Sequence, residues 1–319
     1  MHSEFELITR FFTPDPPGAE AGVTLGVGDD CTLLAPTPGQ RLAVSVDTSV
    51  AGIHFPEDAP AVAVGHRALA VSLSDLAAMG AGARWCLMSL TLPAADDDAW
   101  LADFAGGFHA LCDATGTALV GGDVTRGTLS IGVTVMGEVP AEQALTRSGA
   151  RPGDLLAVTG ALGGGAGGLA LWRRGERDAG HPLLRRYLHP LPRLEAGLAL
   201  RGLASAAIDI SDGLLADLGH VLEASGVGAE LTPETLPLAE GLVAALGEEE
   251  ARQAGLHGGD DYELLLGLPP EQLDEARARL AALDLPLTVI GRVSDRPGLR
   301  GVTVTGERGW QHFPGEGAP

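Results

Sequence analysis

Twice along this chain, short runs of β-branched and apolar residues alternate with longer helical segments, and a loop of turn formers, RSGARPGD at 147–154, separates the two series. In the first series RLAVSVD (41–47), RWCLMSLTL (84–92), ALVGG and LSIGVTVMGEV read as strands. Helices are expected over 59–79 and 96–113, the second opening on three aspartates suited to a positive helix start. In the second series LLAVTG, AAIDIS, YELLLGL and LTVIGRV read as strands. Helices are expected after the glycine-rich turn, after Pro192, over 213–225 and from Pro270. Such alternation restricts the chain to helices packed on sheets, an α/β (α+β) fold in two parts, here 1–148 and 149–319.

With 319 residues, 45% of them hydrophobic, each part can bury a core of its own. The 42 acidic against 21 basic side chains leave a net charge of -21, which excludes attraction to nucleic acid or to an anionic membrane. No lysine occurs: all 21 basic residues are arginines. That removes a Walker A lysine, a protein-kinase strand lysine and Schiff-base chemistry together. Any phosphate chemistry must use arginine, backbone amides or metal ions.

Cys31, Cys86 and Cys112 show no CxxC spacing, so neither a disulfide framework nor a thiolate zinc site is expected; all three are read as buried small residues in a reducing cytoplasm. The start, MHSEFELITRFF, lacks a basic segment followed by an apolar run and reads as an amphipathic helix. The longest uncharged run, 155–172, carries six glycines and suits strand, loop and helix rather than a membrane span.

Aspartates recur among small residues at expected strand ends and helix starts: GVGDDC, SVDTSV, LSDLAAMG, GGDVTRG and DISDG. Singly, each is explained as an Asx turn capping local amides. Together, Asp30, Asp47, Asp75, Asp123, Asp209 and Asp212 invite a second reading. Were they to converge, two unit charges about 4 Å apart would repel by roughly 4 kcal/mol at an effective dielectric of 20. Divalent ions would remove that cost and make a polyphosphate welcome.

LGGGAGGLAL satisfies GxGxxG at Gly163, Gly165 and Gly168, but an acidic residue ending a second strand about 20 residues on is missing. A tight strand-to-helix turn near a phosphate is expected instead. His54 lies in a loop, and Arg147, at the expected domain junction, is either a phosphate fork or a salt-bridge partner. Glu263 and Trp310 carry no signal by themselves.

Taken in order, GVGDDCTLL, SVDTSVAGIHF, ALAVSLSDLAAMGA, GGDVTRG, LTRSGARPGDLLAVTG, IDISDGLLADLGH, GGDDYELL and GWQHF resemble the thiamine-monophosphate kinase family. Several blocks are shared with the wider aminoimidazole ribonucleotide synthetase-like superfamily, whereas SDLAAMGA, GGDDYEL and the closing GW.HF are specific to the kinases. The resemblance implies an ATP-binding fold of two domains with mixed sheets covered by helices. The N-terminal one would bind ATP and Mg²⁺ and join two copies into a homodimer. It implies transfer of the ATP γ-phosphoryl to thiamine monophosphate in the cytoplasm.

By motif, Asp30, Ser45, Asp47, Asp75, Asp123, Asp209 and Asp212 would hold Mg²⁺. Gly122, Asp123, Arg147 and Ser211 would meet the nucleotide; His54, Glu263 and Trp310 would meet the thiamine substrate. Asp212 and Arg147 would be catalytic. Val46 departs from the pattern, since relatives often carry a hydroxyl residue there. The rival readings are another ATP-dependent member of the superfamily, such as a selenophosphate synthetase, and a non-catalytic divalent-ion binder. The first is disfavoured because that family places a reactive cysteine in a mobile N-terminal segment, and none precedes Cys31.

Overall fold

The computed structural model describes residues 3–13, 21–94, 97–302 and 309. The chain divides into two compact units, Met1–Leu76 with Ala81–Ala144, and Ala77–Gly80 with Leu145–Pro319.

The first unit opens with α1 (Glu4–Leu7), started by a capping box between Ser3 and Glu6 and continued by a wider turn over Ile8–Phe12. A small hairpin, β1 (Val23–Leu25) and β2 (Leu33–Leu34), precedes the main elements. These are β3 (Gln40–Val50), α2 (Ala61–Ala78), β4 (Gly82–Leu92), α3 (Asp98–Thr115), β5 (Ala118–Arg126) and β6 (Ser130–Pro140).

Asp97 caps α3 by accepting the Trp100 N–H, and Gly116 ends it in the left-handed conformation that glycine tolerates best. The sheet runs β3-β6-β4-β5, antiparallel except for the parallel pair β4 and β5. Trp85, Leu69, Leu73, Phe104, Phe108 and Ile131 are fully buried in this unit. The helix α2 is long and apolar enough by composition to cross a membrane, yet most of it is buried as a core helix.

The second unit contains β7 (Leu155–Thr159), α4 (Gly164–Arg173), α5 (Pro182–Leu188), α6 (Leu194–Leu200), β8 (Ala206–Asp209), α7 (Leu214–Ser225) and β9 (Gly228–Leu231). It continues with α8 (Leu242–Leu246), α9 (Glu248–His257), β10 (Leu264–Leu268), α10 (Leu273–Ala281), β11 (Leu287–Ser294) and β12 (Gly298–Arg300). Its sheet runs β12-β9-β11-β7-β10-β8, antiparallel except for β12 beside β9. Every residue of β7, β8 and β10 is buried, so these strands read as continuous apolar runs rather than alternating ones.

The uncharged run 155–172 resolves into β7, a glycine turn and α4. One expectation is corrected. Cys86 and Cys112 are buried, but Cys31 is exposed, because it lies in the turn between β1 and β2.

Candidate active site

In the first unit the candidate residues are set by the pleat of β3. Its side chains alternate faces: Leu42, Val44 and Val46 are exposed, while Ala43, Ser45, Asp47 and Ser49 turn inward to increasing burial. Ser45 Oγ donates a short hydrogen bond to Asp75 Oδ2, on the last full turn of α2. Val46 therefore points away from the face that carries Ser45 and Asp47, and a hydroxyl missing at that side chain removes nothing from that face.

Asp47 opposes Val133 on β6, Val133 opposes Met88 on β4, and Met88 opposes Gly122 on β5. Asp47 and Gly122 thus lie in one row, three strand spacings or roughly 14 Å apart along the sheet. Gly122 has φ +155°, and a Cβ there would stand 1.9 Å from the Met88 carbonyl oxygen, so no other residue fits. Asp123 beside it is exposed on edge strand β5. Asp30 is exposed in the turn between β1 and β2, its N–H donated to Asp29 Oδ1 at 2.8 Å, a bond to the very next residue and so not the Asx turn expected of such a stretch. The His54 ring is fixed by the Val50 N–H, which donates to Nδ1 at 3.0 Å, so the ring proton sits on Nε2.

In the second unit β8 ends at buried Asp209, and the turn Ile210 to Gly213 leads into α7. Asp217 Oδ2 accepts the N–H groups of Ser211, Asp212 and Gly213 at 3.1, 3.2 and 3.1 Å. Burial first, and then the charges of Asp209 and Asp212, raise the Asp217 carboxyl to about 7 against the pull of the Gly213 and Asp212 N–H groups. Two carboxylates therefore act on one buried spot, a field that attracts a cation.

The segment Gly259–Glu263 lies along the same turn. Asp260 N–H donates to Ser211 O at 2.9 Å, Tyr262 N–H to Ile210 O at 2.8 Å, and Ile210 N–H to Glu263 O at 2.8 Å. Asp260 and Tyr262 hold φ of +67° and +51°, left-handed values that cost non-glycine residues about 1–3 kcal/mol each and persist only where the surroundings enforce them.

Asp261 is buried and turned to α4: its Oδ2 accepts Gly163 N–H at 2.6 Å and its Oδ1 accepts Gly165 N–H at 3.1 Å. Burial raises its carboxyl to about 7, against the pull of those two N–H groups. The anion at the glycine-rich helix start is thus a side chain of the protein itself, which corrects the expectation of a phosphate at that turn.

Glu263 is fully buried. Arg193 grips it through two bonds of 2.7 and 2.5 Å, Thr159 Oγ1 donates at 2.8 Å, and Arg186 stands 3.6 Å away.

Two family models match the chain: AIR synthase related protein, N-terminal domain, over residues 28–139, and its C-terminal domain over 151–304. The thiamine-monophosphate kinase of Salmonella typhimurium is 42% identical over 320 residues, covering 97% of this chain and 98% of its own length. This chain belongs to the thiamine-monophosphate kinase family. The Escherichia coli K12 thiamine-monophosphate kinase is 43% identical over 321 residues, with 97% and 98% covered. The crystal structure of thiamine-monophosphate kinase from Stenotrophomonas maltophilia K279a aligns at TM-score 0.83 and 46% identity, covering 88% of this chain and 90% of that one. AaThiL complexed with AMPPCP and TMP aligns at TM-score 0.79 and 32% identity, covering 88% and 89%. Escherichia coli HypE, at 22% identity and TM-score 0.75, shares the fold.

In this thiamine-monophosphate kinase family member the structure joins Ser45 with Asp75, and Asp209 with Ser211 and Asp212. It does not join Arg147 to Asp212. Ser225, at the C-terminal end of α7, donates to the Arg147 carbonyl at 3.3 Å and accepts Gly149 and Ala150 N–H at 3.2 Å, whereas Asp212 precedes the other end of that helix. Twelve helical residues separate the two ends by roughly 18 Å. The Arg147 backbone thus lies at the opposite end of α7 from Asp212. Glu263, expected to meet the thiamine substrate, is fully buried here and its carboxylate is engaged by Arg193. Trp310 lies outside the described residues; its neighbour Gly309 rests on this turn, where an added Cβ would stand 2.5 Å from Asp212 O.

Among the described residues, no three His, Cys, Asp or Glu side chains form a closed metal cage. Magnesium needs none, since it usually takes one or two carboxylates and completes its shell with water and phosphate oxygens; Ser45 with Asp75, and Asp209 with Asp212, are oxygen donors of that kind.

Sequence reasoning missed Asp217, Asp261 and Arg193. Asp217 did leave a sign, an acid on the apolar stripe Leu214, Leu218, Val221 of α7.

Proposed function

We propose that this chain moves the γ-phosphoryl group of ATP onto the phosphate of thiamine monophosphate by direct in-line displacement, with Mg²⁺ between the two anions. The observation that carries the cation part is the turn 209–213, where the charges of buried Asp209 and half-buried Asp212 both act on Asp217 while the backbone is tied on both sides. The residues proposed to hold Mg²⁺ are Asp30, Ser45, Asp47, Asp75 and Asp123 in the first unit, and Asp209 and Asp212 in the second. When bound, the ions neutralise the phosphates and orient them.

The acceptor is a phosphate monoester, largely ionised at neutral pH because its second pKa is near 6, so no general base is required of the protein. The chain's part is to position and to screen. Gly122, Asp123 and Ser211 are proposed to meet the nucleotide. Arg147 is proposed as a contact to a distal part of it, away from Asp212; among the described residues its guanidinium has no ion-pair or hydrogen-bond partner. His54, through Nε2–H, and Trp310 are proposed to face the thiamine substrate, with Glu263 acting only through the order it gives the 259–263 segment.

Dimerisation through the first unit is part of this reading. Edge strand β3 exposes Leu42, Val44 and Val46 at 46, 58 and 63%, and an eleven-residue open edge with an apolar row is a template for a second chain. Cytoplasmic location accords with the free thiols of Cys86 and Cys112 and with ATP as co-substrate.

The deciding experiment measures thiamine diphosphate formed from ATP and thiamine monophosphate, with and without Mg²⁺, using unphosphorylated thiamine as control. Product that needs Mg²⁺ and the phosphorylated acceptor is expected; Mg²⁺ uptake without nucleotide affinity or turnover would leave a mere ion binder.

A further inference from the structure

The motif DISDG ends on glycine at the helix N-cap, so α7 begins without a capping side chain. The free N–H groups of that turn nevertheless find one partner. Asp217 closes the first turn of the helix, and because helical side chains lean toward the N-terminus, its carboxylate reaches back over the turn that precedes the helix. One oxygen, Oδ2, accepts three successive N–H groups, from Ser211, Asp212 and Gly213. The carboxylate is 2% exposed and has Asp209 and Asp212 as charged neighbours. For packing alone, a third acid beside two others is the worst choice on an otherwise apolar helix face.

The carbonyl side of the turn is held just as fully. Ile210 O and Ser211 O accept the N–H groups of Tyr262 and Asp260, and Gly259 has no room for a side chain, since a Cβ would stand 2.4 Å from Ser211 O. Every backbone donor of 211–213 therefore goes to Asp217, and the carbonyls of 210 and 211 go to the strained 260–262 segment. The side chain of Asp212 is not called on to cap the helix.

We infer that Asp217 is a positioning residue for phosphoryl transfer, fixing the backbone of Ser211–Gly213 so that Asp209 and Asp212 are presented together. This rests on the reading of Asp212 as a cation-holding residue of the site. Geometry and not charge is what Asp217 supplies, because a single acceptor oxygen suffices for all three N–H groups and an asparagine amide oxygen can take its place.

The test compares full-length Asp217→Ala, Asp217→Asn and Asp212→Asn, by steady-state kinetics and by amide hydrogen exchange over 211–213. Asp217→Ala is expected to lower kcat at least 100-fold with KM for thiamine monophosphate within threefold, and to speed exchange over 211–213 at least 100-fold. Asp217→Asn is expected to keep kcat within tenfold of the parent and exchange near the parent rate, although Asp212→Asn, the same chemical change five residues earlier, abolishes turnover. An Asp217→Asn enzyme below 1% of parental kcat would overturn the inference, whether or not Asp217→Ala folds. So would an Asp217→Ala enzyme within threefold of the parent beside an inactive Asp212→Asn. If Asp212→Asn itself turns over normally, the site reading falls and this inference with it.

Discussion

Replacing Asp261 by asparagine exposes how the fold uses a buried acid. In the native protein both carboxylate oxygens are engaged, one by Gly163 N–H and one by Gly165 N–H. An amide keeps one acceptor and turns its NH₂ toward the other donor, leaving a buried N–H unsatisfied at a cost of about 1–3 kcal/mol at any pH. The parent carries a second, pH-dependent contribution. Its carboxyl is raised to about 7, well above the ordinary aspartate range, so the native state binds a proton that the unfolded chain has already released.

A raised acid stabilises fully below its unfolded value near 4 and loses that stabilisation as pH rises through about 7. Between pH 8 and pH 5 the parent therefore gains roughly 2–3 kcal/mol from this group, and the variant gains none. Urea unfolding followed by far-UV circular dichroism at both pH values gives the difference of differences, in which the other titrating groups cancel. The disadvantage of Asp261→Asn should grow by roughly 2–3 kcal/mol from pH 8 to pH 5, a relative midpoint shift near 1 M at a slope of roughly 2–3 kcal/mol per M. A disadvantage equal at the two pH values within about 0.5 kcal/mol would show that Asp261 titrates as a solvated acid, refuting the burial argument.

Other outcomes are expected. Asp212→Asn should lower kcat at least 100-fold while the melting temperature stays within about 2 °C, checked by coupled assay and thermal melt; unchanged turnover removes Asp212 from the site. Arg193→Ala strands the Glu263 carboxylate in a fully buried position, a loss of about 3–5 kcal/mol, and adding Glu263→Gln should recover part of it in urea unfolding. Trp310→Ala should raise KM for thiamine monophosphate about fivefold or more with little change for ATP, as expected if an aromatic face meets a cationic thiazolium ring. Val44→Asp on the exposed row of β3 should convert a dimer to a monomer in sedimentation velocity, and an unaltered sedimentation coefficient would place the interface elsewhere.

The layered plan was readable because long elements declare themselves. The helix expected over 59–79 is α2 (Ala61–Ala78), and the strand read at 287–293 is β11, one residue longer. Short elements declare nothing: β9 is four residues, β12 three and α8 five, too brief for either period to register. In the site, aspartates at strand ends could be noticed as residues, but partners could not. That Asp261 would cap a helix 96 to 98 residues earlier in the chain, or that Arg193 would close over Glu263 seventy residues away, depends on strand order, which no local pattern encodes. For Arg147 the place beside the turn formers was evident, while its separation from Asp212 is set by the length of α7 and could not be read locally.

The pleat of β3 ties two traits into one inheritance. An insertion or deletion of a single residue within Gln40–Val50 would rotate the strand by half a period, sending Leu42, Val44 and Val46 against α2 and Ser45 and Asp47 out to water. Lineages can substitute along this segment, but they cannot lengthen or shorten it by one without forfeiting both rows at once.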